Sequence, residues 1–232
     1  MKIIIVAIVL FSGLFFLYSQ FDYVYGQNIT SKISSKNIGF DFGNQNTLKE
    51  LAKSWWQWTY SLPMDKNPGV DKTGVNCSQG QNGPVFFLIG SFDGSLVKRE
   101  CVVPKDKPLF FPILNSECSP IEYPSVRSDE GLKKCAKTFQ DMAKGLKASL
   151  DGKPLPVIRI VTDVFNFTLP GNNIFGTGVP MESHSASDGH FSYVASLTPG
   201  THILKFSGST EPTSTSLNDF RQENVYKIIV PR

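Results

Sequence analysis

The stretch Phe191-Ser192-Tyr193-Val194-Ala195-Ser196-Leu197-Thr198-Pro199-Gly200-Thr201-His202-Ile203-Leu204-Lys205-Phe206 decides the fold class. Phe191, Tyr193, Ala195 and Leu197 alternate with Ser192 and Ser196. A period of two places the large side chains on one face of a strand. Pro199-Gly200 is a turn pair, and Leu204 and Phe206 continue the pattern beyond it. Working outward, Phe165, Phe167 and Leu169 alternate with Asn166 and Thr168, Asp151-Gly152 is a hairpin signal, and Val225 to Val230 is a closing strand after a Ser/Thr-rich loop.

Further upstream the pattern changes. Val85-Phe86-Phe87-Leu88-Ile89 is a continuous apolar run, as in a strand buried on both faces. Asp93-Gly94 then predicts a hairpin leading into a strand from Leu96 to Val103. Leu109-Phe110-Phe111-Pro112-Ile113-Leu114 is a third apolar strand, whose internal proline demands an edge or a bulge. Two segments have helical spacing. Leu48, Leu51, Ala52, Trp55, Trp56, Thr59 and Leu62 follow a cap at Asn46 or Thr47 and stop at Pro63. Leu132, Cys135, Ala136, Phe139, Met142, Ala143 and Leu146 follow a cap at Ser128, with Gly145 weakening the last turn. The expected fold is mainly β: a sandwich of the jelly-roll or immunoglobulin-like kind with two inserted or flanking α-helices. No internal repeat and no second domain boundary interrupt residues 46–232.

The N-terminus sets the compartment. Lys2 precedes an uncharged apolar run from Ile3 to Tyr18, and Val24-Tyr25-Gly26 before Gln27, or Leu17-Tyr18-Ser19, suits cleavage. Residues 1–26 therefore have the layout of a secretory signal peptide or, if uncut, of a membrane anchor. Residues 27–45 form a polar linker. The four cysteines, Cys77, Cys101, Cys118 and Cys135, fit the same compartment as two disulfides. The pairing expected is Cys77–Cys101 and Cys118–Cys135, each worth about 3 kcal/mol in the loop-entropy picture. Zinc is the competing use, but no two cysteines have the close spacing it favours. Asn28, Asn76 and Asn166 begin glycosylation sequons. The net charge of +3 has no concentrated basic run, which argues against nucleic acid as a partner.

The segments Trp55-Trp56-Gln57-Trp58, Gly80-Gln81-Asn82-Gly83-Pro84-Val85-Phe86-Phe87-Leu88, Arg99-Glu100-Cys101-Val102-Val103-Pro104 and Leu109-Phe110-Phe111-Pro112 resemble a group of secreted archaeal and bacterial proteins. Leu197-Thr198-Pro199-Gly200-Thr201-His202 followed by Phe206 resembles that group too. The resemblance covers roughly residues 46 to 230 and implies secretion and a common fold. It implies no activity and no catalytic residues.

Candidate chemistry is sparse. Exposed aromatic rings stack on sugars, and Trp58, which lies off the helix's apolar stripe, is the ring expected to be exposed. His184, Asp188 and His190 share one short loop before a strand, a donor set able to hold zinc or copper and the only cofactor suggested. Glu117 and Glu122 flank Cys118 and are the carboxylates that could serve glycoside hydrolysis. No Ser-centred elbow, Walker loop or dinucleotide fingerprint occurs. The expected role is therefore binding or structure at the cell envelope, with surface polysaccharide or protein as partner and a membrane only through the anchor. The alternative is a secreted hydrolase of glycans or other polymers.

Overall fold

The computed structural model describes residues 41–210 and 220–232. The expected signal segment, most of the linker, Asn28 and the Ser/Thr-rich loop lie outside the described residues. Among the described residues, ten strands make two mixed sheets. The first runs β1 (Phe86–Phe87), β3 (Leu109–Cys118), β8 (Met181–Val194), β6 (Ile158–Val161), with β7 (Phe165–Leu169) pairing the start of β8. The second runs β2 (Leu96–Val102), β10 (Arg221–Val230), β9 (Gly200–Thr210), β4 (Ala143–Leu150), β5 (Lys153–Pro154). Neighbours are antiparallel except β1–β3 and β2–β10, which are parallel. Helix α1 (Gln45–Ser61) and helix α2 (Asp129–Gln140) complete the set with a 3-10 turn at Met64–Lys66.

The layers explain the sequence patterns. Between the sheets, Leu109, Phe111 and Ile113 of β3 meet Leu204 and Phe206 of β9 and Tyr226 and Ile228 of β10. The rings of Phe111 and Phe206 lie 5.0 Å apart. On the other face of the first sheet, Phe110 and Phe191 stack at 5.0 Å under α1 and its tryptophans. The centre of the first sheet is thus buried on both faces, which is why β3 begins as an unbroken apolar run. The second sheet is covered on one face, so β2 alternates exposed and buried along its whole length. Pro112 sits where the β3–β8 register shifts, at the expected bulge.

Local signals place the remaining elements. Asp151 and Gly152 both take positive φ, 51° and 78°, and turn β4 into β5 as a tight hairpin. The Ser128 hydroxyl accepts from the Gly131 amide at the start of α2. Both disulfides form, Cys77–Cys101 and Cys118–Cys135. They point to an oxidising compartment. No helix among the described residues is long and apolar enough to cross a membrane.

Four expectations need correction. Val85–Ile89 and Leu96–Val103 do not form a hairpin: β1 pairs with β3 in one sheet, whereas β2 pairs with β10 in the other. The Asp93-Gly94 turn carries the chain between layers, because both faces of the first run are already covered. The cap of α1 is Asn44, whose side chain accepts from the Asn46 and Thr47 amides. Helix α2 stops at Gln140, and Ala143–Leu150 is strand β4. Gly145, with φ +62°, lies in the bulge of that strand, and not in a fraying helical turn. The segment His184–His190 is the middle of β8, not a loop.

Candidate functional site

Two of the concave regions beside α1 hold residues singled out from the sequence. The first is a polar groove of about 710 Å³ between α1, the Gly80–Asn82 turn and the β7–β8 pair. On β7, Asn166 and Thr168 point outward because Phe165, Phe167 and Leu169 are buried. The antiparallel register sets Asn166 opposite His184 and Thr168 opposite Glu182. The result is a two-by-two ladder of polar side chains on one face, with directly opposed side chains within touching reach. Gln57 closes the groove from α1 and donates from Nε2 to the Asn166 carbonyl at 2.8 Å. The side chains of Asn82, Asn166, Thr168, Glu182 and His184 take no hydrogen bond within the described protein and face the groove.

Trp58 reaches this groove but does not present the expected open ring. It is 6% exposed, and its indole N–H donates to the Gln79 carbonyl at 2.8 Å. Trp55 and Trp56 are satisfied in the same way, by the Leu88 carbonyl at 2.8 Å and the Ser187 hydroxyl at 2.7 Å. The cluster of three is a packing device, with Trp58 as part of the groove's floor beside Gly80. Gly80 has φ +65°, and a Cβ there would press on the Trp58 ring at 3.1 Å.

The second region is a cavity of about 330 Å³ on the Tyr60 side of α1. Its walls include Trp56, Tyr60, Phe139 and Phe175, and Glu117 and Glu122 enter it together. Glu117 is 7% exposed at the end of β3. The Tyr60 hydroxyl donates to its Oε1, and the Ser185 hydroxyl reaches its Oε2. Glu122 follows in the loop after β3; the residue is exposed overall, yet its carboxyl hydrogen-bonds to that of Glu117. Loss of hydration in the cavity, then the hydrogen bond to Glu117 and its charge, push the Glu122 carboxyl up to about 9. Burial, then the charges of the two acids, push the Tyr60 hydroxyl well above its ordinary value. The two carboxylates named from sequence are therefore brought together, and Tyr60 and Ser185 are partners that sequence reasoning missed. No spacing rule links Tyr60 to Ser185; only the packing of α1 over β8 does.

The trio His184, Asp188 and His190 is not brought together as a metal site. No group of three His, Cys, Asp or Glu suited to a metal occurs among the described residues. Asp188 is clamped by Arg159, with Nε at 2.9 Å from Oδ1 and Nη2 at 2.7 Å from Oδ2. Gln140 Nε2 donates to His190 Nδ1 at 2.6 Å. Burial, with the nearby Arg159 charge, lowers the His190 pKa and keeps the ring neutral at pH 7. His184 alone faces the groove. Of the sequons, Asn166 lies exposed in the groove, and the Asn76 amide donates to the Asp65 carbonyl at 3.2 Å.

Gln81 and Arg99 serve the frame. The Gln81 side chain bonds the Cys77 carbonyl and both the amide and the carbonyl of Phe87, holding β1 in place. Buried Arg99 donates to the carbonyls of Asp71, Ile89 and Gly90 and to the Tyr226 hydroxyl. No known family's sequence model matches the chain, and no curated protein matches it. The solution structure of Amebosin aligns with 64% of this chain and 99% of its own length, at 13% identity and a TM-score of 0.24. That likeness is too low to bear on fold or role.

Proposed function

We propose that this protein is an exported, non-enzymatic β-sandwich that binds a polyhydroxylated ligand, a glycan of the cell envelope, in the groove between α1 and the β7–β8 ladder. One observation carries the reading: amide, hydroxyl, carboxylate and imidazole side chains converge on one groove and are spent on nothing inside the fold. Sugars are recognised by such planar polar groups beside an apolar surface, here the Trp58 edge. The apolar N-terminal run and the two disulfides support export. Immobilised envelope polysaccharide should retain the wild-type protein. The combined change Thr168→Ala and Glu182→Ala, both exposed on strands, should weaken retention at least about tenfold, the equivalent of one or two hydrogen bonds. Equal retention of both proteins sinks the reading.

A second reading, hydrolysis of glycans or other polymers through Glu117 or Glu122, has one observation in its favour. Glu122 keeps its proton at neutral pH, as a general acid must. Against it stands the hydrogen bond between the two carboxyls. Glycoside hydrolysis needs them about 5–9.5 Å apart, with sugar or water between. Activity that survives both Glu→Gln changes excludes it.

A further inference from the structure

The Glu117–Glu122 pair is the least expected arrangement in the molecule, and its surroundings give it a use independent of the groove. Three separate elements meet at Glu117. Tyr60 comes from α1, Ser185 from β8, and Glu122 from the loop that follows β3. Each oxygen of Glu117 already has a hydroxyl partner. A second carboxyl hydrogen-bonded to it must bring a proton, because two carboxylates only accept.

No cation relieves the pair. Neither acid forms an ion pair with Lys, Arg or His among the described residues. The titratable groups that face it are Tyr60 from α1 and Tyr123 from the same loop, both neutral at pH 7. From β8 it meets Ser185, which carries no charge. The linings supplied by α2, by the Ile174–Phe175 turn and by Phe92 and Phe220 are likewise uncharged.

The loop that carries Glu122 rests on its neighbours through Ile121, Tyr123 and Val126, which pack against the apolar clusters beside it. Its backbone bonds are internal, from the Tyr123 amide to the Ser119 carbonyl and from the Val126 amide to the Tyr123 carbonyl. The Cys118–Cys135 bridge ties β3 to α2 at the base of the loop. We propose that Glu117 and Glu122 form a proton-operated latch: one shared proton holds the loop Ser119–Val126 against Glu117, and release of that proton to solvent frees the loop and opens the aromatic cavity. Two charges in a wall of Trp56, Phe139 and Phe175 repel, and the exposed member is the one free to leave.

The sign follows from linkage. Glu122 binds its proton more tightly closed than open, so the latch is shut below the ordinary carboxylate range and loosens as pH rises toward its raised value. One proton released per opening makes the opening equilibrium grow about tenfold per pH unit across that window. Amide hydrogen exchange of residues 119–126, corrected for the intrinsic pH dependence of exchange, measures this directly. In Glu122→Gln the new amide donates to the Glu117 carboxylate at every pH, so loop protection should stay level. Wild-type protection that does not change with pH, or a variant that follows the wild-type curve, overturns the latch. Infrared spectroscopy of the wild type gives a check that needs no variant. A protonated-carboxyl stretch that persists at neutral pH is expected, and its absence overturns the proposal.

Discussion

Asp188 and Glu117 sit one step apart on the β3–β8 ladder, where Ser116 pairs with Asp188 and Glu117 with Ser187. Both are buried, at 1% and 7% exposure. Asp188 is answered by a guanidinium, which Asp141 also holds through Arg159 Nη2 at 2.6 Å. Glu117 is answered by two hydroxyls and a second acid. The difference teaches that a buried acid can be tolerated by charge pairing or by protonation, and only the second answers to pH. A charge pair with arginine stays fixed across the physiological range, because the guanidinium does not lose its proton.

Breaking the fixed half should cost most. Arg159→Ala leaves Asp188 in the interior without a cation and should lower stability in urea by about 3–5 kcal/mol. Arg159→Met with Asp188→Asn together should recover much of that loss; a double variant as weak as the single one would show that packing, not charge, holds the site. Removing the Cys118–Cys135 bridge by alanine at both positions should cost about 3 kcal/mol and loosen α2, which borders both acids. Glu117→Gln should cost about 1–3 kcal/mol, since its amide cannot accept from both Tyr60 and Ser185.

Finer tests concern pH alone. Because the folded Glu122 pKa is raised, its contribution is fully present below the usual carboxylate value and is lost as pH rises through the raised one. Glu122→Gln should therefore flatten the alkaline side of the stability profile measured by urea titration. The smallest effect belongs to the surface pair His202–Asp151, 2.8 Å apart between β9 and the β4–β5 turn. The bond to Asp151, then that to the Thr198 carbonyl, raises the His202 pKa. Its contribution is present below the ordinary histidine value and is lost as pH rises through the raised one. Asp151→Asn should return the His202 titration toward normal by NMR, with a stability change of only about 0.2–1 kcal/mol.

The fold was legible where one face decides burial. Strands β7 and β9 follow the period-two pattern, and Pro112 marks its own bulge, whereas β8 is buried on both faces through its middle and ends at Val194, short of Ala195 and Leu197. It was illegible where layers compete. Nothing local tells Leu96–Val102 to cross to the second sheet, because its partner β10 is remote in the chain. Helical spacing through Met142, Ala143 and Leu146 was overridden by the edge that β9 offers to β4. At the site, Glu117 and Glu122 were named from their place beside Cys118, but not as a bonded pair. Asn166 and Thr168 entered only as the spacers between phenylalanines, although those outward positions furnish the groove. Exposed positions of a strand carry no packing signal, so sequence alone ranks them as solvent.

The placing of β10 between β2 and β9 has a consequence for how the molecule is made. Each residue of β2 pairs with one 127 positions later. Loop-closure entropy makes such a contact slow to form, so the second sheet assembles late. Until then the side of β2 that β10 takes stands open as well as its outer edge, a template for association with other chains beside Leu96 and Val102, which stay exposed in the finished fold. The Cys77–Cys101 bridge closes a loop of far shorter span at that very strand. Oxidation could therefore dock β2 before its partner arrives, which makes thiol chemistry the timekeeper of assembly and a reducing medium the condition under which newly made chains should aggregate.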